Sequence, residues 1–132
     1  MSSDLPTLLA TMQPVLNPGR FAFVTLPTDQ SLDLHSVIGS IHEPEGLSVI
    51  LTEQDAIGLG LKAHYIAAWI TLTVQSDLAA VGLTAAFSNA LAQAGLSCNV
   101  VAGNFHDHVF VAHEQAQLAM TVLQSLQARA AV

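Results

Sequence analysis

Between Asp77 and Asp107 the chain runs through 29 consecutive residues without one Asp, Glu, Lys or Arg. A surface left free in water is normally kept soluble by mixed charges. So long a neutral run is therefore expected to be folded and partly covered by another lobe or a second subunit. It does not read as a membrane span, because Thr84, Ser88, Asn89 and Gln93 interrupt its most apolar part, Leu78 to Leu96. Residues 1–62 hold nine of the 13 charged side chains, so the two halves differ in character.

The whole chain has 132 residues, with 52% hydrophobic and only 10% charged side chains. A charged fraction of about 25% is usual, and disordered chains lie on the charged side of that value. A folded unit with one core, or two lobes sharing one, is expected. The net charge of −7 leaves only Arg20, Lys62 and Arg129 to meet phosphates, which argues against nucleic acid and anionic membrane surfaces as partners. Cys98 is the only cysteine, so no intrachain disulfide can form. The start of the chain (MSSDLPTLLATMQP) lacks a basic region and a continuous apolar run, so no export signal is read there and a cytoplasmic location is expected.

Local patterns order the elements. Asp4 and Pro6 open a short helix over residues 5–12, which Pro14, Pro18 and Gly19 are expected to end. Phe21 to Leu26 reads as a strand. Val37 to His42 and Leu47 to Leu51 are two short runs whose separation by Glu43-Pro44-Glu45-Gly46 fits a hairpin or a tight corner. A short helix follows over Glu53 to Leu61, with Thr52 as its cap. In Ala68 to Val74, Ala68, Ile70, Leu72 and Val74 alternate with Trp69, Thr71 and Thr73, the period of a half-buried strand. Ser76-Asp77 offers cap oxygens for a helix reaching about Ala94, with Gly95 just past its end. Strands over 97–102 and 107–112 and a final helix from Glu114 complete the chain. From residue 66 onward the order is β-α-β-β-α, a split βαβ unit lacking its last strand, which a strand of the first half can supply.

The segment Ser76-Asp77-Leu78-Ala79-Ala80-Val81-Gly82-Leu83-Thr84, with Leu91 to Val100, resembles the core of an ACT domain. In that family an acidic residue precedes a helix, a Gly-Leu pair opens it, and a Gly-hydrophobic stretch leads into the second strand. His42–Gly46 (HEPEG) and Asn104–Val111 (NFHDHVFV) are similar to stretches of small stand-alone bacterial proteins with two fused ACT-like lobes. The resemblance implies an α+β, ferredoxin-like fold: antiparallel sheet with helices on one face, a first lobe over 1–62 and a second over 63–132. It also implies regulation by a bound small molecule, usually an amino acid, at an interface between ACT units, in a homodimer and without a cofactor. The residues matching the family's binding loop are Ser76, Asp77, Val81, Gly82, Leu83 and Thr84, with Asn99 and Val100 on the facing strand. A glycine near a helix N-terminus lets a carboxylate approach backbone N–H groups. The same residues can instead serve only to cap the helix and pack it on the sheet.

His106-Asp107-His108 is the sharpest chemical cluster. On a strand His106 and His108 share a face and can reach one metal ion, but no third ligand is near in sequence, and structural histidines are the expected reading. Either His106 or Asp107 can also reach a ligand interface. Cys98 has no basic neighbour to activate it and reads as a core residue. No GxGxxG, GxSxG, HExxH or CxxC pattern occurs, and no nucleophile–base pair is suggested. A non-enzymatic sensor is the expectation. A partner-docking module is the alternative, and a metal-dependent enzyme built on the His-Asp-His strand is the third.

Overall fold

The computed structural model of the chain describes residues 4–74 and 78–131. Among them are helices α1 (Leu5–Thr11), α2 (Glu53–Gly58), α3 (Leu83–Gln93) and α4 (Ala116–Ala131). The strands are β1 (Pro14–Leu26), β2 (Gly39–Glu43), β3 (Gly46–Thr52), β4 (Tyr65–Leu72), β5 (Asn99–Ala102) and β6 (Asp107–Ala112). In hydrogen-bonded order they run β2-β3-β1-β4-β6-β5. That order closes the incomplete unit read from the sequence. In β4-α3-β5-β6-α4, β6 lies between β4 and β5, and the seat of the absent last strand beside β4 is taken by β1. The first half has the same order, with β3 between β1 and β2 and with β4 closing the unit. A 3₁₀ turn, Leu34–Ser36, stands where its first helix would be. By contacts the chain groups as Met1–Asn17 with Ala68–Val132, and as Pro18–Ala67, so β1 and β4 are each divided between the two units.

The unit holding α1, α3 and α4 has a core of Leu8 from α1 and Met12 at its C-cap, Ile70 and Leu72 from β4, Phe87 and Leu91 from α3, Val109 and Val111 from β6, and Leu123 from α4. Period-two alternation turns Ile70 and Leu72 toward these helices and Trp69 and Thr71 to the opposite face. Asp4 caps α1 as expected, its Oδ2 accepting from the Thr7 N–H at 3.2 Å and the Thr7 hydroxyl at 2.6 Å. α3 ends at Gly95 (φ +80°), where the Leu96 N–H donates to the Leu91 carbonyl at 3.0 Å and the Gly95 N–H to Ala92 at 2.9 Å, a Schellman closure.

In the other unit, Ala22, Val24 and Leu26 of β1 meet Val49 and Leu51 of β3 and Ala56 of α2. β1 and β3 are antiparallel from Phe21↔Thr52 to Leu26↔Leu47. The hairpin of β2 and β3 turns at Pro44-Glu45, with Glu43 opposite Gly46 and Gly46 at φ +145°. The Thr52 hydroxyl caps α2, accepting from the Asp55 N–H at 3.1 Å.

Several element ends lie one to three residues from the sequence reading, and two boundaries differ by more. Pro14 and Pro18 do not end α1 from outside a strand; they lie within β1, at its first and fifth residues. The pairing with β3 starts only at Phe21, so on that side Pro18 is not asked for an N–H. α3 starts at Leu83 rather than near Ser76-Asp77. Gly82 holds φ +105°, a left-handed conformation through which a helix cannot run. A Cβ on Gly82 would lie 3.0 Å from Leu5 Cδ2, so this glycine also allows close approach to α1.

Candidate ligand-binding site

α3 has 11 residues and opens on Gly82 with no side-chain cap among the described residues. The first backbone N–H groups of a helix have no partner inside it, and they carry its positive dipole end. Here those groups belong to Leu83, Thr84 and Ala85. Leu83 is buried in the core, whereas Thr84 is exposed and Val81, just before the helix, is 84% exposed. Ser76 and Asp77 lie outside the described residues. Val100 packs against the same core as Leu83. Asn99 is its neighbour in β5 and so points to the opposite face, where it stands across from Phe110 and its Nδ2 is 3.5 Å from the Phe110 carbonyl. The helix start and Val100 are thus on the helix side of the sheet, and Asn99 is on the other.

The other side carries the most organised polar geometry. The Trp69 indole N–H donates to His108 Nδ1 at 3.0 Å, and Thr71 Oγ1 lies 3.2 Å from the same nitrogen. The Asn17 amide donates to Thr71 Oγ1 at 3.0 Å and to the Trp69 carbonyl at 3.2 Å. The Trp69 ring stacks on Phe110, with centroids 6.1 Å apart and planes 19° from parallel. An indole nitrogen is only a donor, so His108 Nδ1 is an acceptor and carries no proton. His108 is therefore neutral, with its hydrogen on Nε2. Burial, then the nearby His106, holds its pKa below the ordinary imidazole value, with Asp107 pulling the other way. Asp107 faces the helix side, and burial raises its carboxyl against the pull of His108. His106 precedes β6, its Nδ1 3.4 Å from the Val74 carbonyl.

This polarity is the reverse of what a metal ligand needs. A ligating imidazole gives one nitrogen to the metal and donates its other N–H to an acceptor. In His108 the lone pair of Nδ1 is held by two donors and Nε2 bears the proton. Among the described residues no group of three His, Cys, Asp or Glu could hold a metal ion. Cys98 is half-buried beside the core and its thiol is pushed up by burial, which makes it a poor nucleophile. Asn17 and Thr71 escaped the sequence reading as functional candidates, and Trp69 was open there only as a core residue or an interface anchor. Trp69 and Thr71 share one face of β4, whereas Asn17 lies on β1 and gave no signal of its own.

The ACT domain family matches the chain twice, over residues 2–68 and over residues 65–125. The chain belongs to the ACT domain family. The two matches meet in β4, the strand that serves both ferredoxin-like arrangements. A solved Vibrio cholerae protein of unknown function, described as a possible transport protein, is 43% identical, with 93% of this chain and 95% of that chain covered and a TM-score of 0.82. An Agrobacterium tumefaciens protein is 15% identical over 88% of this chain and 89% of that one, with a TM-score of 0.65. The ligand-free regulatory subunit of aspartate kinase from Thermus thermophilus is 10% identical over 88% and 97%, with a TM-score of 0.62. At these last two identities the likeness is one of fold. No curated protein matches the chain in sequence. No helix among the described residues is long and apolar enough to cross a membrane.

Proposed function

We propose that this ACT-domain protein is a regulatory sensor that captures a free amino acid, with the ligand's carboxylate at the start of α3. The observation that carries the reading is an 11-residue helix whose first N–H groups meet no side-chain cap among the described residues and are led in by a left-handed glycine. Such an end favours an anion through both its open donors and its dipole. Thr84 and Val81 flank the carboxylate, Ser76 and Asp77 supply the ammonium side, and Asn99 and Val100 of β5, His106 just before β6, and Asp107 and His108 of β6 respond to the ligand. ACT domains are regulatory, small-molecule-binding units, and that general role agrees with both family matches. The protein acts in the cytoplasm as a homodimer, its neutral second half covered by the partner, and it catalyses no reaction of its own.

The test is a thermal-shift screen of the twenty amino acids against the purified protein. One amino acid, or a small related group, should raise the melting temperature in a saturable way. A ligand at 100 times its dissociation constant adds about 2.7 kcal/mol. No shift from any amino acid would overturn the sensor reading and leave the exposed Leu78 and Val81, 65% and 84% accessible, as anchors of a partner-docking surface.

A further inference from the structure

His108 sits at a point of chemical asymmetry. Its Nδ1 faces two hydrogen-bond partners that answer a proton differently. An indole N–H can only donate, so it has nothing to offer a protonated Nδ1. A threonine hydroxyl donates or accepts by rotating about its C–O bond. Thr71 Oγ1 receives one hydrogen bond from Asn17 and has a second lone pair for a charged N–H. Trp69 and Thr71 therefore stabilise the neutral ring together, but only Thr71 can stabilise the charged one. Nε2 already carries its hydrogen and makes no hydrogen bond to a described residue. It lies beside Gly103, where a Cβ would come within 3.3 Å.

We propose that His108 is a proton-operated latch: neutral, it holds the Trp69 indole through Nδ1; on taking a proton from solvent at Nδ1, it donates to Thr71 and lets Trp69 go. The neighbours that face it are Asn17 from β1, Trp69 and Thr71 from β4, its cross-strand partner Val101 in β5, Gly103 after β5 and Phe110 on β6, none of which titrates near neutrality. The titratable groups that act on it are His106 and Asp107, of opposite effect. The latch ties β1, β4 and β6 together on the face opposite α1, α3 and α4. Releasing it changes the packing of Trp69 on Phe110 without requiring any strand to separate. The inference shares His108 with the amino-acid reading but uses no ligand and no residue of the α3 entrance, so a screen in which no amino acid binds leaves it standing.

Trp69 is the chain's only tryptophan, so its fluorescence and its indole N–H resonance report on this one site. The experiment follows both from about pH 8 to about pH 5, beside the titration of the His108 ring and the far-ultraviolet circular dichroism. The expected result is a reversible change in emission and a shift of the indole resonance. Both should share the His108 midpoint, below the ordinary imidazole value of about 6.5, with circular dichroism unchanged. His108→Asn places a non-titrating acceptor near the Nδ1 position and should flatten the transition. His106→Asn should keep it and move it upward, since a like charge is removed. Thr71→Val should move it downward, since the charged ring loses its acceptor. An indole resonance that stays still while His108 titrates would overturn the latch. So would an undiminished transition in His108→Asn, or loss of secondary structure over the same range. If His108→Asn does not fold, the coincidence of the indole and imidazole titrations in the unaltered protein decides the matter.

Discussion

The open start of α3 can be tested with a substitution whose effects on stability and on binding have opposite signs. Gly82→Val is unsuitable: Gly82 has φ +105°, and even a Cβ would press Leu5 at 3.0 Å, so a lost response would be confounded with strain. Thr84 is exposed and is the second residue of the helix. In Thr84→Asp a carboxylate lies against the positive end of the dipole, worth about 0.3–1 kcal/mol. With 132 residues and about 2.1 cal/mol/K each, the unfolding entropy is about 0.28 kcal/mol/K, so the free protein should melt about 1–4 °C higher. The same carboxylate would stand about 5 Å from a ligand carboxylate held at the helix start. At an effective dielectric of about 40 that repulsion is about 1.7 kcal/mol, or about 20-fold in affinity. A ligand concentration that shifts the unaltered protein by about 10 °C should then shift the variant by about 4 °C or less. Thr84→Asn, neutral and of equal size to Asp, should keep the full shift. Differential scanning fluorimetry reads both effects in one experiment. A full ligand shift in Thr84→Asp would refute the placement of the carboxylate, and a lower melting temperature without ligand would refute the description of this helix end as open.

Four further outcomes follow from burial and protonation. Because the folded protein holds the His108 pKa low, the unfolded chain binds more protons as pH falls through about 6.5; stability is greatest above that value and should decline below it, and His108→Asn should remove the decline in pH-dependent denaturant titrations. The raised Asp107 acts with the opposite sign, adding relative stability at lower pH as its carboxyl takes up a proton in the folded chain first, so Asp107→Asn should steepen the loss on the acid side. Phe87 is fully buried in α3, and Phe87→Ala should cost about 3–5 kcal/mol by denaturant unfolding. The Tyr65 hydroxyl is buried without a hydrogen-bond partner, so Tyr65→Phe should leave stability unchanged or raise it by about 1 kcal/mol in the same assay.

The elements that were legible in the sequence are those decided within a few residues. Asp4, Thr52 and Gly95 cap their helices for reasons contained in one turn of chain, and Pro44-Glu45-Gly46 makes its hairpin in the same local way. The alternation in β4 needs only the strand's own period. The errors arose where a distant partner decides. Pro18 looks like a breaker until one sees that the pairing of β1 with β3 begins three residues later. Ser76-Asp77 looks like a helix start, yet Gly82 takes the left-handed turn where the chain passes Leu5 of α1, 77 residues earlier.

The polar cluster on the sheet illustrates how far a correct fold still falls short of a site. A split βαβ unit already places β4 beside β6, so the adjacency of Trp69's strand and His108's strand was implicit in the resemblance. Their meeting depends on register as well. His108 shares its face with Phe110, and Asp107 shares the other with Val109 and Val111; a slip of one residue would carry His108 to the helix side and present Asp107 to the indole instead. Asp107 would then accept from Trp69 as a carboxylate, and nothing at the site would change its donor or acceptor character near neutral pH. The pairing of β5 with β6 helps to hold the register, with Ala102 opposite Asp107 and the Gly103 N–H donating to the His106 carbonyl at 2.9 Å. Gly103 leaves room for the imidazole edge, since a Cβ there would lie 3.1 Å from the His106 carbonyl oxygen and 3.3 Å from His108 Nε2. The hairpin of β5 and β6, far from the helix entrance in the chemistry it offers, therefore decides whether the opposite face of the sheet can sense a proton at all.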